Sequence, residues 1–154
     1  MGSCTSKKQT MEETLKDYDW KSCKPYVPNI KEGKIIKCYD GDTVTIATIV
    51  EKIVVRFNIR MLGYDCAEIK SKDTDEKQVA KWAKEYISEM ILNKMVKVVK
   101  NGGYDKYGRL LLEIEIDGKN VNKIMLEKWG VEYYGKHKEE VDWSKWNIGG
   151  RQKE

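Results

Sequence analysis

The sequence predicts an α+β fold, and its elements are consistent with a five-stranded OB-type β-barrel that carries three helices. Five segments rich in β-branched residues are separated by short polar turns, and a strongly periodic helical segment follows the third of them. Further helical signals come after the fifth segment. Periodicity alone indicates only a mixture of α and β elements, but this order is typical of a small Greek-key barrel.

The first three strands are predicted to form a meander. They cover residues 34–39, 43–50 and 53–61 and are separated by short polar turns. In the third strand, alternation places the apolar residues on one face and Arg60 on the other, toward a groove or solvent.

The remaining elements follow in order. The apolar residues of the first helix recur at helical spacing, which is typical of core packing. On the last strand, alternation turns Arg109 away from the core. The predicted elements are a helix at 74–93, strands at 95–100 and 109–116, a second helix that Gly130 ends, and a third helix at about 138–146.

Composition indicates one soluble globular domain. The chain has 154 residues, 40% hydrophobic and 35% charged, so it can bury a substantial core. Its formal net charge of +4 permits attraction to nucleic acid without predicting it. Four cysteines lack metal-binding spacing, which favours reduced thiols in a cytosolic setting but leaves disulfides open. No apolar run approaches the ~20 residues of a membrane span.

The N-terminus carries an acylation pattern. Met1-Gly2-Ser3-Cys4-Thr5-Ser6 places Gly2 as a myristoyl acceptor and Cys4 as a palmitoyl acceptor. Two acyl chains would hold the protein stably on the cytosolic face of a membrane. The alternatives are a chance match or a cloning remnant on a soluble cytoplasmic protein.

The pattern suggests a division of the chain into three parts. We expect residues 1–33 to form the acylation motif and a flexible tether, 34–147 the folded domain, and 148–154 a C-terminal tail. The tether is polar and contains both prolines of the chain. We expect its Trp20 and Tyr26 to rest on the surface of the domain.

Three short motifs carry the chemistry. They are Asp40-Gly41-Asp42-Thr43, the run from Arg60 through Asp65 to Glu68, and Asp105-Lys106-Tyr107-Gly108-Arg109. Their carboxylates suit a hard cation and a proton acceptor, and their guanidinium groups suit a phosphate that gains charge. Each motif alone has an ordinary reading, since Asp-Gly is foremost a hairpin turn and exposed arginines are usually solvated.

The three motifs, followed by Asp117-Gly118-Lys119-Asn120-Val121-Asn122, resemble the staphylococcal nuclease family over about residues 34–135. The resemblance implies an OB-type barrel and a Ca²⁺ site formed by Asp42, Asp65 and the backbone carbonyl of Cys66. The family usually has Thr and then Pro where this chain has Cys66 and Ala67, but a main-chain ligand tolerates that change. As a soft metal ligand or a nucleophile, Cys66 is disfavoured by its oxygen neighbours and by the lack of a paired histidine.

The resemblance also implies catalytic roles. Glu68 would activate the attacking water as a general base, or would act mainly in positioning, while Arg60 and Arg109 would clamp the phosphate. The implied activity is calcium-dependent hydrolysis of DNA and RNA, with little sequence preference and 3′-phosphate ends.

Four further residues are expected to contact substrate. Lys106 and Tyr107 would contact the nucleotide or its terminal phosphate, although Tyr107 could equally pack within its turn. Tyr133 or Tyr134 would stack on or near a base, in a segment shorter than that of the familiar bacterial enzyme.

A second class of function remains open: a nucleic-acid or protein-binding module that keeps the barrel without catalysis, including a membrane-tethered adaptor. Degenerate copies of this domain would be expected to lose carboxylates or arginines. The complete set of five catalytic and metal-binding side chains in this sequence favours the enzyme. We expect a monomer.

Overall fold

Five long strands close into a barrel in the computed structural model, which describes residues 7–135 and 140–152. In chain order the strands are β1 (Glu32–Cys38), β2 (Thr43–Val50), β3 (Ile53–Met61), β4 (Gly63–Asp65), β5 (Met95–Tyr104), β6 (Leu110–Ile116), β7 (Lys119–Asn120), β8 (Val131–Tyr133), β9 (Trp146–Asn147) and β10 (Gly150–Arg151). The helices are α1 (Met11–Leu15), α2 (Thr74–Ile91) and α3 (Val121–Lys128).

The barrel is formed by β1, β2, β3, β5 and β6. Antiparallel pairings give the order β3-β2-β1-β5-β6, and a parallel pairing between β3 and β6 closes it. In that pairing Ile59 lies opposite Leu110 and Met61 lies opposite Leu112. The predicted OB-type α+β fold is therefore confirmed.

The core lies inside the barrel and under α2. Alternation along the strands buries Val44 and Ile46 of β2 and Leu110, Leu112 and Ile114 of β6. The buried side chains of α2 are Val79, Ala80, Ala83, Ile87 and Ile91, which lie within or beside the predicted apolar stripe.

Helix α2 has a clear beginning and end. The side chain of Asp73 caps its first turn by accepting a hydrogen bond from the Glu76 amide. The helix ends at Ile91, two residues before the predicted end, and Asn93 then takes a positive φ of 60°. Asparagine tolerates that backbone conformation, which breaks the helix.

The short pairing of β4 with β8 is absent from the sequence prediction. Gly63 lies opposite Tyr133 and Asp65 lies opposite Val131. Strands of three residues are too short for alternation to reveal them. This pairing matters because it fixes Asp65 and Tyr133 at one edge of the barrel.

The third helix is not where the sequence placed it. Besides α2 and α3, the structure has a short helix near the N-terminus, α1. Thr10 caps α1 through a reciprocal pair of hydrogen bonds with Glu13. Of the predicted helix at 138–146, residues 138 and 139 lie outside the described residues, and the described part holds only a 3₁₀ turn at Trp143–Lys145. The rings of Trp143 and Trp146 pack together with centroids 4.7 Å apart. Trp146 follows the turn in an extended backbone conformation, which allows this contact.

The expected position of Trp20 on the surface of the domain is wrong, while that of Tyr26 stays a prediction. Trp20 is 95% exposed and Tyr26 is 63% exposed. The turn that contains Trp20 is held locally, because Asp19 Oδ1 accepts hydrogen bonds from the amides of Lys21 and Ser22. The tether instead meets the domain at Ile30, which is buried.

Three of the four cysteines fall within the described residues. Cys23 is an exposed free thiol, and Cys38 and Cys66 are buried free thiols. The expectation of reduced thiols agrees with this for those three residues.

Asn122 joins three parts of the fold. It is 4% exposed, its Nδ2 donates to the carbonyls of Leu62 and Leu112, and its Oδ1 accepts from the Ile114 amide. We expect Asn122→Ala to lower the free energy of unfolding by about 2–4 kcal/mol, because it strands buried backbone groups. Urea unfolding against Asn58→Ala, at an exposed position, tests this. Equal stability of the two variants would contradict it.

Candidate active site

A groove of about 1140 Å³ opens where β2 begins and β3 ends. It is lined by Tyr39, Asp40, Asp42, Thr43, Arg60, Asp65, Glu68, Ile69, Lys70, Asp105, Lys106, Tyr107, Arg109, Leu111, Tyr133 and Gly135. Eight of the ten residues that the sequence singles out for metal, catalysis and substrate therefore share one groove. Cys66 and Tyr134 are not among its lining residues.

Arg60 ties two buried carboxylates together. Its Nη2 lies 2.7 Å from Asp65 Oδ1 and its Nη1 lies 3.3 Å from Asp42 Oδ2. Nη1 also donates to the Tyr64 carbonyl at 2.9 Å. Arg60 is only 7% exposed, so these contacts fix the direction of its side chain. The third strand turns Arg60 to the groove side, as alternation predicts.

Asp42 is held from three directions. Its Oδ1 accepts from Thr43 Oγ1 at 3.0 Å, and its Oδ2 accepts from the Cys66 amide at 2.8 Å. Burial raises the pKa of Asp42 to about 6, Arg60 opposes that rise, and the neighbouring Asp40 carboxylate adds to it. The turn itself is held by Asp40, whose Oδ1 accepts from the Asp42 amide.

Cys66 supplies backbone rather than side-chain chemistry. Its thiol is buried, and a Cβ on Gly41 would come within 2.8 Å of its Sγ, so Gly41 and Cys66 pack tightly together. Burial raises the pKa of the Cys66 thiol well above its usual range. A buried, protonated thiol is neither a nucleophile nor a soft ligand, in agreement with the sequence argument.

Glu68 lies on an exposed loop between β4 and α2. Its amide donates to Glu76 Oε1 at 3.1 Å, and Ser71 Oγ donates to Glu76 Oε2 at 2.5 Å. Glu76 therefore anchors the loop to the first turn of α2 and sets where Glu68 enters the groove.

Arg109 is oriented by the turn that precedes it. Asp105 Oδ2 accepts from Arg109 Nε at 2.8 Å, while Oδ1 accepts from the amides of Tyr107 and Arg109. Although partial burial acts the other way, these hydrogen bonds lower the pKa of Asp105. Gly108 has a φ of 78°, the left-handed conformation that this tight turn requires.

Tyr107 projects from the same turn. Its ring is 71% exposed, with Lys106 Nζ 5.1 Å and Arg109 Cζ 5.3 Å from the ring centroid. The ring is mostly exposed, but both cations belong to its own turn, so turn packing and substrate contact both stay open for Tyr107. The exposed ring flanked by two cations can contact a base or a phosphate-bearing sugar.

The structure separates the two neighbouring tyrosines. Tyr133 lines the groove, with Arg60 Cζ 5.5 Å from its ring centroid. Tyr134 is 70% exposed and lies over Gly63, outside the lining of the groove. The pairing of β8 with β4 fixes Tyr133, the last residue of β8, opposite Gly63, whereas Tyr134 lies beyond the end of the strand.

We expect Asp105→Asn to lower kcat about tenfold, because the amide keeps the size of the side chain but weakens its hold on Arg109. Asp142→Asn is a matched control, since Asp142 also accepts local turn hydrogen bonds but lies away from the groove. Steady-state kinetics on single-stranded DNA would measure kcat and KM for both. An unchanged kcat in Asp105→Asn would show that Arg109 needs no such support.

The chemistry of the groove fits a hard cation. Asp40, Asp42 and Asp65 bring three carboxylates to this end of the barrel, against the buried guanidinium of Arg60. All these donors are oxygen atoms, which Ca²⁺ and Mg²⁺ prefer. Among the described residues, no group of three or more His, Cys, Asp or Glu side chains is arranged so that it could hold a metal ion. Backbone, water or phosphate oxygens would have to complete the shell.

Sequence reasoning gave no role to three supporting residues. Asp40 holds the Asp42 turn, Asp105 holds Arg109, and Tyr64 donates its hydroxyl to the Gly41 carbonyl at 2.7 Å. For Asp105 the sequence does contain a signal of this supporting role, which is its position four residues before Arg109. Asp and Asn side chains commonly accept hydrogen bonds from amides within their own turn.

Comparison with known proteins agrees with this geometry. The family described as staphylococcal nuclease homologue matches residues 58–145, more than half of the chain. A search of curated proteins gives no match. The matched range includes Arg60, Asp65, Glu68 and Arg109, and it begins after Asp42. The chain belongs to the staphylococcal nuclease homologue family.

Proposed function

We propose that this protein is a calcium-dependent nuclease that cleaves DNA and RNA with low sequence specificity and leaves 3′-phosphate ends. One observation carries the proposal: Arg60, Arg109, Glu68, Asp42 and Asp65 meet in one groove beside an exposed tyrosine ring. Family membership supports a nuclease-type or nucleic-acid-binding function.

The two arginines would bind the scissile phosphate. Arg60 is buried and fixed by carboxylates, while Arg109 is held by the bond from its Nε to Asp105 and by its position over the Tyr107 ring. The described part of the chain offers the Nη groups of Arg109 no hydrogen-bond partner, so they remain available to two phosphate oxygens. As the phosphorus becomes pentacoordinate its oxygens gain charge, and a fixed guanidinium fork stabilises that charge without reorganising.

Glu68 would accept the proton of the attacking water. Its exposed position on the groove wall leaves room for a water between its carboxylate and a bound phosphate. Attack forms the new P–O bond while the bond to the 5′-oxygen breaks. The 5′-oxygen takes up a proton from solvent, and the phosphate stays on the 3′-oxygen.

Asp42, Asp65 and the backbone carbonyl of Cys66 would hold the calcium ion. Bound Ca²⁺ would add positive charge beside the phosphate and polarise a water molecule. The residues keep the site open, since Ca²⁺ takes about 6–8 oxygen ligands and these three leave positions for water and phosphate.

The direct test incubates purified protein with single-stranded DNA, duplex DNA and RNA in calcium, magnesium or chelator. Cleavage in calcium alone, with fragments that a 3′-phosphatase converts to 3′-hydroxyl ends, is expected. Tight binding of the substrates without cleavage in any condition would overturn the proposed nuclease activity and would support a catalytically silent binding module.

We further propose that the protein is held on the cytosolic face of a membrane through myristoyl and palmitoyl groups on Gly2 and Cys4. Both residues lie outside the described residues, and the support is the sequence pattern. The described helices include none that is both long and apolar enough to span a bilayer. Protein from eukaryotic cells should gain a myristoyl mass that Gly2→Ala abolishes. An intact mass without that gain would leave the soluble cytoplasmic alternative.

A further inference from the structure

The outer face of the β2–β3 hairpin carries exposed aliphatic side chains. Ile49 lies directly opposite Val54, and these side chains are 69% and 75% exposed. The recorded pairing of β1 with β2 ends at Lys34 and Ala47, whereas β2 and β3 stay paired to Val50 and Ile53. The end of the hairpin therefore extends past its neighbouring strand.

Basic side chains lie beside these aliphatic ones. Met95, Lys34, Ala47 and Arg56 occupy one rung across four strands, next to the rung of Ile49 and Val54. Met95 is 58% exposed, and Lys34 and Arg56 are exposed as well. We call Ile49, Val54, Met95, Lys34 and Arg56 the hairpin patch.

The charge of the hairpin patch is uncompensated. Among the described residues, neither Lys34 nor Arg56 has an ion-pair partner. Lys97 lies opposite both Glu32 and Glu115, so these acidic residues offset Lys97 on its own rung. Exposed aliphatic side chains can insert at the boundary of the acyl chains, and unpaired basic side chains beside them can contact anionic headgroups. This combination suits an anionic bilayer.

The tether reaches the barrel at the same place. Thr48 Oγ1 donates to the Glu32 carbonyl at 2.8 Å, and the Val98 amide donates to the Lys31 carbonyl. The tether thus contacts the barrel from Pro28, whose carbonyl accepts from Asn101 Nδ2, to Lys31, and the next residue, Glu32, contacts the neighbour of Ile49. The patch holds no aromatic side chain for base stacking, which disfavours nucleic acid as its occupant.

We propose that the hairpin patch is a docking surface for an anionic lipid bilayer. Ile49 lies six residues along β2 from Thr43, or roughly 20 Å at the rise of a strand. Docking through the patch therefore leaves the groove open to substrate.

The test uses the full chain made in bacteria without acyl groups, so that the patch is measured apart from the anchor. The protein is sedimented with vesicles of phosphatidylcholine or of an equal mixture of phosphatidylcholine and phosphatidylserine. We expect binding to the mixed vesicles only. The double variant Ile49→Ser/Val54→Ser should lower the partition coefficient about tenfold, through lost apolar burial. Arg56→Glu should weaken binding to the mixed vesicles as well.

Ile148→Ser is the matched control, because Ile148 is 77% exposed and lies outside the patch. It should bind like the wild type, and all variants should keep the wild-type melting temperature and cleave DNA in solution. No binding by the wild type, or equal binding by the double variant, would overturn the proposal. Loss of a dimer or of DNA binding in the double variant would assign the patch to a protein or nucleic-acid partner instead and would also overturn it.

Discussion

Replacing Arg60 with alanine is expected to remove cleavage and to destabilise the fold together. The side chains of Arg60 and Asp42 are each only 8% exposed, and that of Asp65 is 12% exposed. Without the guanidinium, two largely buried carboxylates lose its charge, which costs about 3–5 kcal/mol of unfolding free energy. Catalysis loses a fixed phosphate ligand, so kcat should fall at least about 10²-fold.

Two comparisons separate these effects. Arg56→Ala removes an exposed arginine from the same strand and face and should change stability by less than about 0.5 kcal/mol. Arg60→Lys keeps a charge near the carboxylates and should recover part of the stability but little of kcat, because lysine cannot bridge both carboxylates and a phosphate. Full activity in a folded Arg60→Lys protein would contradict the assigned role.

Arg109→Lys is expected to reduce kcat by about 10²–10³-fold with little effect on stability. The side chain of Arg109 is 28% exposed and makes one ion pair, so its loss should cost less than about 1 kcal/mol of unfolding free energy. Lysine retains the charge but loses both the Nε bond to Asp105 and the fork that meets two phosphate oxygens.

Arg151→Lys serves as the control for Arg109→Lys. Arg151 also lies over an aromatic ring, with its Cζ 5.3 Å from the centroid of Trp146, but it is not part of the groove lining. Single-turnover measurements at saturating substrate isolate the chemical step. Near-normal turnover in Arg109→Lys would remove this residue from the transition-state account.

The barrel could be predicted from the sequence because its strands are long enough to alternate. The bounds of β2 and β3 agree with the prediction, and β5 continues four residues beyond its predicted end through an irregular pairing with β6. The β4–β8 pair could not be predicted, because it depends on contact between segments separated in the chain by α2, two barrel strands and α3.

The site shows the same division. The residue types of Arg60, Asp65 and Glu68 were readable as a motif, but the buried bridge from Arg60 to Asp42 depends on how β2 and β3 pair. Choosing Tyr133 over Tyr134 required the direction of β8, and the function of Asp105 required the geometry of its turn. The sequence identifies most of the residues of the site, but the contacts between their atoms depend on the tertiary structure.

The most direct measurement compares wild type with Glu68→Gln for calcium binding and for DNA cleavage on the same samples. Glutamine preserves shape but accepts no proton at this position, so we expect cleavage to fall at least about 10²-fold. Calorimetry should still detect calcium, because Asp42, Asp65 and the Cys66 carbonyl are unchanged. Wild-type cleavage by Glu68→Gln, or no calcium-dependent cleavage by the well-folded wild type, would contradict the proposed nuclease mechanism.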